Sequence, residues 1–194
     1  MKLKNIFLVG FRAVGKSTIA PILAQKLDYE CVEMDEIIQQ KTGQTILELT
    51  QNGTNWVRFR ELETELLAEL VTSNHKIVSC GGGCGVNDLT GSLQKKLLDS
   101  FGGNMIILLN TSEQVIESRL RKNYEQGVTH RQSLDGSQSN DINQKLNKDL
   151  QIYRSRLPLY TGLTQFYINT DQEIDLIVAK IMVLLQNYKT IDKG

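Results

Sequence analysis

Hydrophobic and polar stretches alternate along the chain in a regular order. Short apolar runs at 5–10, 31–35, 76–83, 104–110 and 165–169 predict five strands. Apolar residues at helical spacing predict helices in between and after the last strand. These helices span 16–27, 36–42, 45–51, 55–72, 89–100, 112–122 and 172–188. The alternation predicts an α/β fold, with a five-stranded parallel sheet flanked by helices on both faces.

One long segment departs from this alternation. Residues 123–140 hold two glycines, many amides and hydroxyls, and little that could be buried. A polar loop of this length inside a compact domain is typical of a lid or of disorder, and we expect a mobile lid. Further on, Pro158 predicts the end of a helix, since proline cannot continue the hydrogen-bond ladder. We expect 1–194 to form a single domain with its core at 4–185.

Composition narrows the class of protein. The 22 basic and 22 acidic residues cancel, so nothing favours a nucleic-acid or membrane-surface partner. No stretch approaches the roughly 20 apolar residues of a membrane span. Three cysteines (Cys31, Cys80 and Cys84) are an odd, sparse set that fits a reduced, cytoplasmic protein. Cys80 and Cys84 lack further ligands at metal-binding spacing, so we expect them to pack.

The stretch VGFRAVGKST, residues 9–18, fits the phosphate-loop pattern G-x-x-x-x-G-K-[ST]. Gly10 and Gly15 let backbone N–H groups turn toward phosphate oxygens, and the helix N-terminus adds positive potential. Lys16 supplies a full positive charge, and Ser17 offers a hydroxyl to Mg²⁺. Because the pattern lies between a predicted strand and a predicted helix, it predicts a nucleotide site.

Other motifs narrow the choice among phosphate-loop proteins. Residues 147–150, NKDL, have the asparagine and lysine of a guanine-binding Asn-Lys-x-Asp motif but not the aspartate in register. The strand at 104–110 ends in Asn110 instead of a magnesium-binding aspartate. The acidic candidates are Glu33 and Asp35, whose side chains would point the same way in an extended strand. They would then lie beside the phosphate loop, at the carboxyl edge of the sheet. Alternatively, they are surface charges that cap the next helix.

Three further features could recognise an acceptor for the phosphate. Arg60 and Glu63 lie three residues apart on one predicted helix and can pair, which suits a guanidinium that grips a carboxylate. CGGGCG, residues 80–85, follows the third strand and exposes N–H groups there. Arg156 lies just before Pro158. Taken singly, an arginine pair is often a solvated helix face, and a triple glycine is often a tight turn.

In this order the motifs resemble the shikimate kinase family. The resemblance runs from about residue 4 to 185. It is carried by the phosphate loop, Asp35, Phe59-Arg60-x-x-Glu63, Gly81-Gly82-Gly83, Arg131 and Arg156-x-Pro158-Leu159-Tyr160. The family differs at four places. It usually has aspartate at the position of Glu33, often glycine at that of Ala13, and Arg-Pro-Leu-Leu where 131–134 is RQSL. After the triple glycine it commonly has one small or apolar residue before valine, where this chain has Cys84 and Gly85.

The resemblance implies a mechanism and a set of site residues. ATP and Mg²⁺ are the implied cofactors, and the 3-hydroxyl of shikimate is the implied acceptor, oriented and deprotonated by Asp35. The implied catalytic residues are Lys16, Asp35 and Arg131, the last in the lid. The implied nucleotide contacts are Gly10, Ala13, Val14, Gly15, Lys16, Ser17, Thr18 and Arg131. The implied substrate contacts are Asp35, Arg60, Gly81, Gly82, Gly83 and Arg156, and the metal contacts are Ser17 and, through water, Glu33.

Two other functions stay open at this point. A gluconate-type sugar-acid kinase would also need carboxylate-binding arginines, although the combination of Arg60, Arg156 and the triple glycine favours shikimate. A non-catalytic nucleotide-binding module would have no physical need for Lys16, Asp35 and Arg60 together. We expect a monomer that acts on a small molecule.

Overall fold

The structure, a computed structural model, describes residues 3–100, 102–126, 141–164 and 166–191. Strands and helices alternate through these residues, which confirms the predicted α/β fold. The strands are β1 (Asn5–Val9), β2 (Glu30–Glu33), β3 (Lys76–Ser79), β4 (Met105–Asn110) and β5 (Tyr167–Asn169). The helices are α1 (Lys16–Leu27), α2 (Met34–Thr42), α3 (Ile46–Leu49), α4 (Val57–Thr72), α5 (Gly91–Ser100), α6 (Glu113–Glu125), α7 (Ile142–Thr161) and α8 (Ile174–Ile191).

The five strands form one parallel sheet in the order β2-β3-β1-β4-β5. All five residues of the central strand β1 are buried, as expected of a strand that is covered on both faces. Because parallel strands end at the same edge, the segments after β1, β2 and β3 meet there. The sheet order therefore brings the phosphate loop, the acidic pair and the triple glycine to one place.

The second strand ends earlier than the sequence predicts. β2 stops at Glu33, and Met34 is already the first residue of α2. Asp35 therefore lies in the first turn of a helix, and the prediction that it shares one side of an extended strand with Glu33 is wrong. The first turn of α2 is favoured at this position for two reasons. The side chain of Met34 is fully buried in the core, and the acidic side chains of Asp35 and Glu36 suit the positive N-terminal end of the helix.

Helix α7 continues through Pro158 to Thr161, so the prediction that it ends at Pro158 is wrong. The proline removes only one backbone hydrogen bond near the end of the helix. Tyr160 holds this last turn, because it is 1% exposed and its hydroxyl donates to the carbonyl of Gly82. A tertiary contact thus outweighs the local tendency of proline to end the helix.

Helix α6 extends to Glu125, so the first residues of the predicted lid are helical. Residues 127–140, which include Arg131, lie outside the described residues. Within the part of the chain that is described, every helix is too short or too polar to cross a lipid bilayer.

Candidate active site

The loop between β1 and α1 encloses the ammonium group of Lys16. Its Nζ donates hydrogen bonds to the carbonyls of Gly10, at 2.8 Å, and Phe11, at 2.9 Å. Gly10 and Gly15 have backbone φ angles of 139° and 103°, which residues other than glycine rarely adopt. A Cβ on Gly10 would also overlap the carbonyl oxygen of Leu109. The glycines, the ammonium group and the N-terminus of α1 together fit a polyphosphate.

A cleft of about 420 Å³ opens beside this loop. Residues 13–18 form one wall, which includes every predicted nucleotide contact in the described residues except Gly10. Thr170 and Gln172, after β5, line it as well. Arg119 joins these two sides, because its Nη1 donates to the carbonyl of Ala13 at 3.2 Å and its Nη2 to that of Thr170 at 2.8 Å. The size of the cleft suits a small-molecule ligand such as a nucleotide.

Glu33 and Ser17 place two oxygen ligands at the edge of the cleft. The Ser17 hydroxyl donates to Glu33 Oε2 at 3.2 Å. Burial raises the pKa of Glu33, and hydrogen bonds from Ser79 and Ser17 with the charge of Lys16 only partly offset this shift. A hydroxyl and a carboxylate are hard ligands of the kind that Mg²⁺ prefers beside bound phosphates. The pair therefore fits a magnesium ion next to the phosphate loop.

A second, smaller cavity of about 60 Å³ adjoins the nucleotide cleft. Arg12, Asp35 and Gly82 line both spaces. The smaller cavity has an apolar side that includes Trp56 and Phe59 and a polar side formed by arginines and the triple glycine. We call it the acceptor cavity. Because Asp35 borders both spaces, its carboxylate can reach a hydroxyl group that faces the end of a bound triphosphate.

Arg60 and Glu63 form a buried ion pair beside the acceptor cavity. Arg60 is 5% exposed and Glu63 is 0% exposed, so the alternative of a solvated helix face is wrong. Arg60 Nη1 donates to Glu63 Oε2 at 2.7 Å, and Gln94 Nε2 donates to the same oxygen at 3.0 Å. The Arg60 Cζ lies 5.0 Å from the ring centre of Trp56 and 5.2 Å from that of Phe59. These contacts hold the guanidinium in one orientation.

The three glycines after β3 allow charged side chains to approach the backbone closely. A Cβ on Gly81 would overlap Glu63 Oε1 and lie 3.1 Å from Asp35 Oδ1. A Cβ on Gly83 would lie 2.5 Å from Arg60 Nη2. The sequence suggested that these glycines expose N–H groups, and the structure adds that they leave room for Asp35, Arg60 and Glu63.

Arg156 reaches the acceptor cavity from α7. Its Nη1 donates to the carbonyl of Gly82 at 3.2 Å, next to the hydrogen bond from Tyr160. Burial lowers the pKa of Arg156, and the nearby charge of Arg60 acts in the same direction, while Tyr160 opposes it. A guanidinium keeps its charge at neutral pH even so. With Arg12, three arginines line this one small cavity, which favours an anionic ligand such as a carboxylate.

Residues 12–186 match the sequence model of shikimate kinase. The chain belongs to the shikimate kinase family. A shikimate kinase from Sulfurihydrogenibium sp. (strain YO3AOP1) is 31% identical over 185 residues, which cover 92% of this chain and 98% of that protein. A shikimate kinase from Thermodesulfovibrio yellowstonii is 30% identical over 193 residues, with coverage of 97% and 100%.

Two solved structures share this fold. Shikimate kinase from Acinetobacter baumannii, in complex with shikimate, aligns with a TM-score of 0.75 at 29% identity, covering 95% of this chain and 94% of that one. The shikimate kinase from Bacteroides thetaiotaomicron aligns with a TM-score of 0.77 at 24% identity, covering 94% and 98%, and supports the fold alone. As a family member, the protein is a phosphotransferase that acts on an alcohol group and uses ATP with Mg²⁺.

Sequence reasoning missed several residues of this site. Arg12 and Ser79 line the nucleotide cleft, and Arg119 ties together two of its sides. Trp56 lines the acceptor cavity and packs against Arg60. The one available signal was the position of Arg12 inside the predicted phosphate loop.

Proposed function

We propose that this protein transfers the γ-phosphoryl group of ATP to the 3-hydroxyl of shikimate, a step in aromatic amino acid biosynthesis. The observation that carries the proposal is the junction at Asp35 between a nucleotide cleft and a cavity with the arginines Arg60 and Arg156. Membership of the shikimate kinase family supports the reaction. The Acinetobacter baumannii relative supports the acceptor, since its structure contains shikimate.

Arg60 and Arg156 grip the carboxylate of the acceptor. Both line the acceptor cavity, and each is held by a separate partner, Glu63 for Arg60 and the carbonyl of Gly82 for Arg156. The apolar side of the cavity covers the ring of the acceptor. With the carboxylate held at this end, the ring hydroxyls face the Asp35 carboxylate.

Asp35 orients the 3-hydroxyl and accepts its proton. The hydroxyl oxygen forms a bond to the γ-phosphorus while the bond between that phosphorus and the bridging oxygen of ATP breaks. The electron pair of the broken bond stays on ADP, and the proton moves to Asp35. Because such transfers need mainly alignment and charge stabilisation, fixed side chains can supply most of the catalysis.

Lys16 and the phosphate loop hold the phosphates. The Lys16 ammonium already lies among the loop carbonyls, so a bound phosphate meets a positive charge that is in position. Mg²⁺ would bind at Ser17 and Glu33 and neutralise charge on the phosphate oxygens. Arg131 remains a predicted further phosphate contact.

An ADP-release assay with shikimate, with gluconate and without an acceptor tests this function. We expect ADP release that requires shikimate and Mg²⁺, and mass spectrometry should find one equivalent of shikimate 3-phosphate. Turnover with gluconate alone would favour a sugar-acid kinase. Nucleotide binding without any turnover would favour a non-catalytic module.

We also propose that the protein acts as a monomer in the cytoplasm, on a small molecule, without nucleic-acid or membrane partners. The balanced charge of the chain supports the absence of nucleic-acid and membrane-surface partners, and its odd, sparse set of three cysteines supports the cytoplasm. Light scattering after size exclusion should give one 21.9 kDa chain, and a dimer mass would overturn the monomer.

A further inference from the structure

Arg12 lies in the wall that the nucleotide cleft and the acceptor cavity share. It lines both spaces together with Asp35 and Gly82, and its side chain is 6% exposed. Its backbone also touches the loop after β3, since a Cβ on Gly82 would lie 3.2 Å from the Arg12 nitrogen. Arg12 is therefore next to the place where a phosphoryl group would leave one space and enter the other.

Two residues, one from α6 and one from α7, fix the guanidinium. Arg12 Nη2 donates to the hydroxyl of Tyr124 at 2.8 Å and forms an ion pair with Asp149. The Tyr124 hydroxyl in turn donates to Asp149, which is 0% exposed. The Arg12 Cζ also lies 5.9 Å from the ring centre of Tyr124. Arg12 is therefore oriented by folding, so that ligand binding does not have to order it.

Stability alone explains this arrangement poorly. A buried ion pair loses the hydration of both charges. Apolar residues of similar volume at the same positions often stabilise a protein equally well. The same two helices are already joined by a surface pair, in which Arg154 Nη2 lies 2.5 Å from Glu113 Oε1. A buried arginine that its ion pair with Asp149 holds in one orientation, in contrast, can offer fixed N–H donors to a charged phosphoryl group.

We propose that Arg12 is a further catalytic residue that donates N–H groups to the phosphoryl group during its transfer, with Tyr124 and Asp149 as positioning residues. The inference rests on the proposed function. As the acceptor oxygen bonds to the γ-phosphorus and the bond to the ADP oxygen breaks, Arg12 stabilises the negative charge on the phosphoryl oxygens. Arg12 keeps its own protons, since the proton of the hydroxyl moves to Asp35.

Replacement of Arg12 tests its role directly. In Arg12→Ala we expect kcat to fall by about 100-fold or more, with the KM values for ATP and shikimate changed by less than about threefold. Calorimetry with ADP, aluminium fluoride and shikimate, which together mimic the phosphoryl group in transfer, should show a similar loss of affinity, while ADP alone binds as before. Millimolar guanidinium should restore part of the turnover. Unchanged kcat and unchanged affinity for the mimic would overturn the proposal.

The Arg12→Ala variant leaves the buried Asp149 without its cation, so it could fail to fold. The double variant Arg12→Ala with Asp149→Asn removes both charges and keeps the test possible. Arg12→Lys offers a second test. Lysine keeps the charge but lacks the planar guanidinium group that can bind Asp149 and a phosphoryl group at the same time. We expect about a tenfold loss of kcat or more in Arg12→Lys, and wild-type kcat would contradict the role.

The test of Tyr124 and Asp149 as positioning residues must measure a quantity that a purely structural role would leave unchanged. Asp149→Asn and Tyr124→Phe should lower kcat by about tenfold in the wild-type background and hardly at all when Arg12 is already alanine. If they act only on stability, the melting temperature will fall while kcat stays unchanged. Arg154→Ala is the control, since it removes the surface link between the same helices and should leave kcat unchanged.

The wild-type assay separates the two proposals. If the wild-type protein releases ADP with shikimate and the Arg12 variants do so equally well, only the role of Arg12 fails. If the wild-type protein does not phosphorylate shikimate at all, the proposed function itself fails.

Discussion

Arg60 Nη1 lies 2.7 Å from Glu63 Oε2, and both side chains are buried beside the acceptor cavity. Glu63 is therefore as much part of the acceptor site as the arginine that it orients. Because Gln94 also donates to this carboxylate, the pair belongs to a network that crosses from α4 to α5. Such a network gives the guanidinium one fixed direction, which suits two parallel hydrogen bonds to a substrate carboxylate.

Arg60→Lys should raise the KM for shikimate by about 10- to 100-fold and change the KM for ATP little. Lysine keeps the charge but loses the planar fork, at a cost of about 1.4–2.8 kcal/mol in binding. Steady-state kinetics check this, with Arg58→Lys as the control because Arg58 lies on the same helix and its side chain is 59% exposed. A larger effect on ATP than on shikimate would contradict the site.

Gly83→Ala should impair shikimate binding without touching the nucleotide cleft. The added Cβ would lie 2.5 Å from Arg60 Nη2 and would push the guanidinium away. We expect the KM for shikimate to rise at least about tenfold, corresponding to about 1.4 kcal/mol. In the control Gly162→Ala, the nearest contact of the new Cβ is 3.4 Å, and kinetics should be unchanged. Normal shikimate binding by Gly83→Ala would show that Arg60 is less constrained than these contacts indicate.

Asp35→Asn should lower kcat by roughly 100-fold or more while leaving ADP affinity nearly intact. The amide keeps the size of the side chain but cannot accept the proton of the hydroxyl, which is the contribution of a general base. Turnover and calorimetric ADP binding check the two parts of this prediction. Glu36→Gln is the matched control, because Glu36 is the exposed neighbour of Asp35 on α2. Wild-type turnover in Asp35→Asn would remove the proposed role of Asp35.

The fold and most of this site could be predicted because their signals are local. Each short apolar strand and the phosphate loop can be recognised from residues that are adjacent in the sequence. Parallel strands then bring the loops at their carboxyl ends to one edge of the sheet. The Arg12 contacts could not be predicted, since Tyr124 and Asp149 lie more than 100 residues further along the chain. The continuation of α7 past Pro158 likewise depends on a tertiary contact of Tyr160.

The pH dependence of magnesium binding should follow Glu33. Because burial raises its pKa above the ordinary 4.5, Glu33 should begin to take up a proton, and lose its affinity for Mg²⁺, at a higher pH than an exposed glutamate. We therefore expect the Mg²⁺ concentration for half-maximal activity to rise as the pH falls toward the raised pKa of Glu33. Glu33→Gln should need more Mg²⁺ at every pH and lose this dependence. An equal pH dependence in both proteins would assign the titration to another group.

Glu33 should also affect stability in the absence of metal. Between pH 4.5 and its raised pKa, the folded state holds more protons at this site than the unfolded state, so stability falls as the pH rises through that window. Melting temperatures of the wild type and of Glu33→Gln, measured in EDTA, should therefore diverge as the pH rises. The variant should be relatively more stable above the window. A constant difference between the two proteins would contradict the raised pKa.

Ala13→Gly should stabilise the protein without harming ATP binding. Ala13 has a φ of 66°, a left-handed conformation that costs a residue with a Cβ about 1 kcal/mol and glycine nothing. The expected gain of up to about 1 kcal/mol corresponds to a rise of roughly 2–4 °C in melting temperature for a chain of this size. The carbonyl of Ala13, which accepts from Arg119, is kept in the variant, so the KM for ATP should not change.

Ala20→Gly is the control for this prediction, because Ala20 lies in the interior of α1 and is fully buried. There, glycine weakens the helix and removes a packed methyl group, so the melting temperature should fall. The two substitutions remove the same methyl group from nearby positions in the chain, yet they should change stability in opposite directions. If both lower the melting temperature equally, the left-handed backbone at Ala13 is not a source of strain in the phosphate loop.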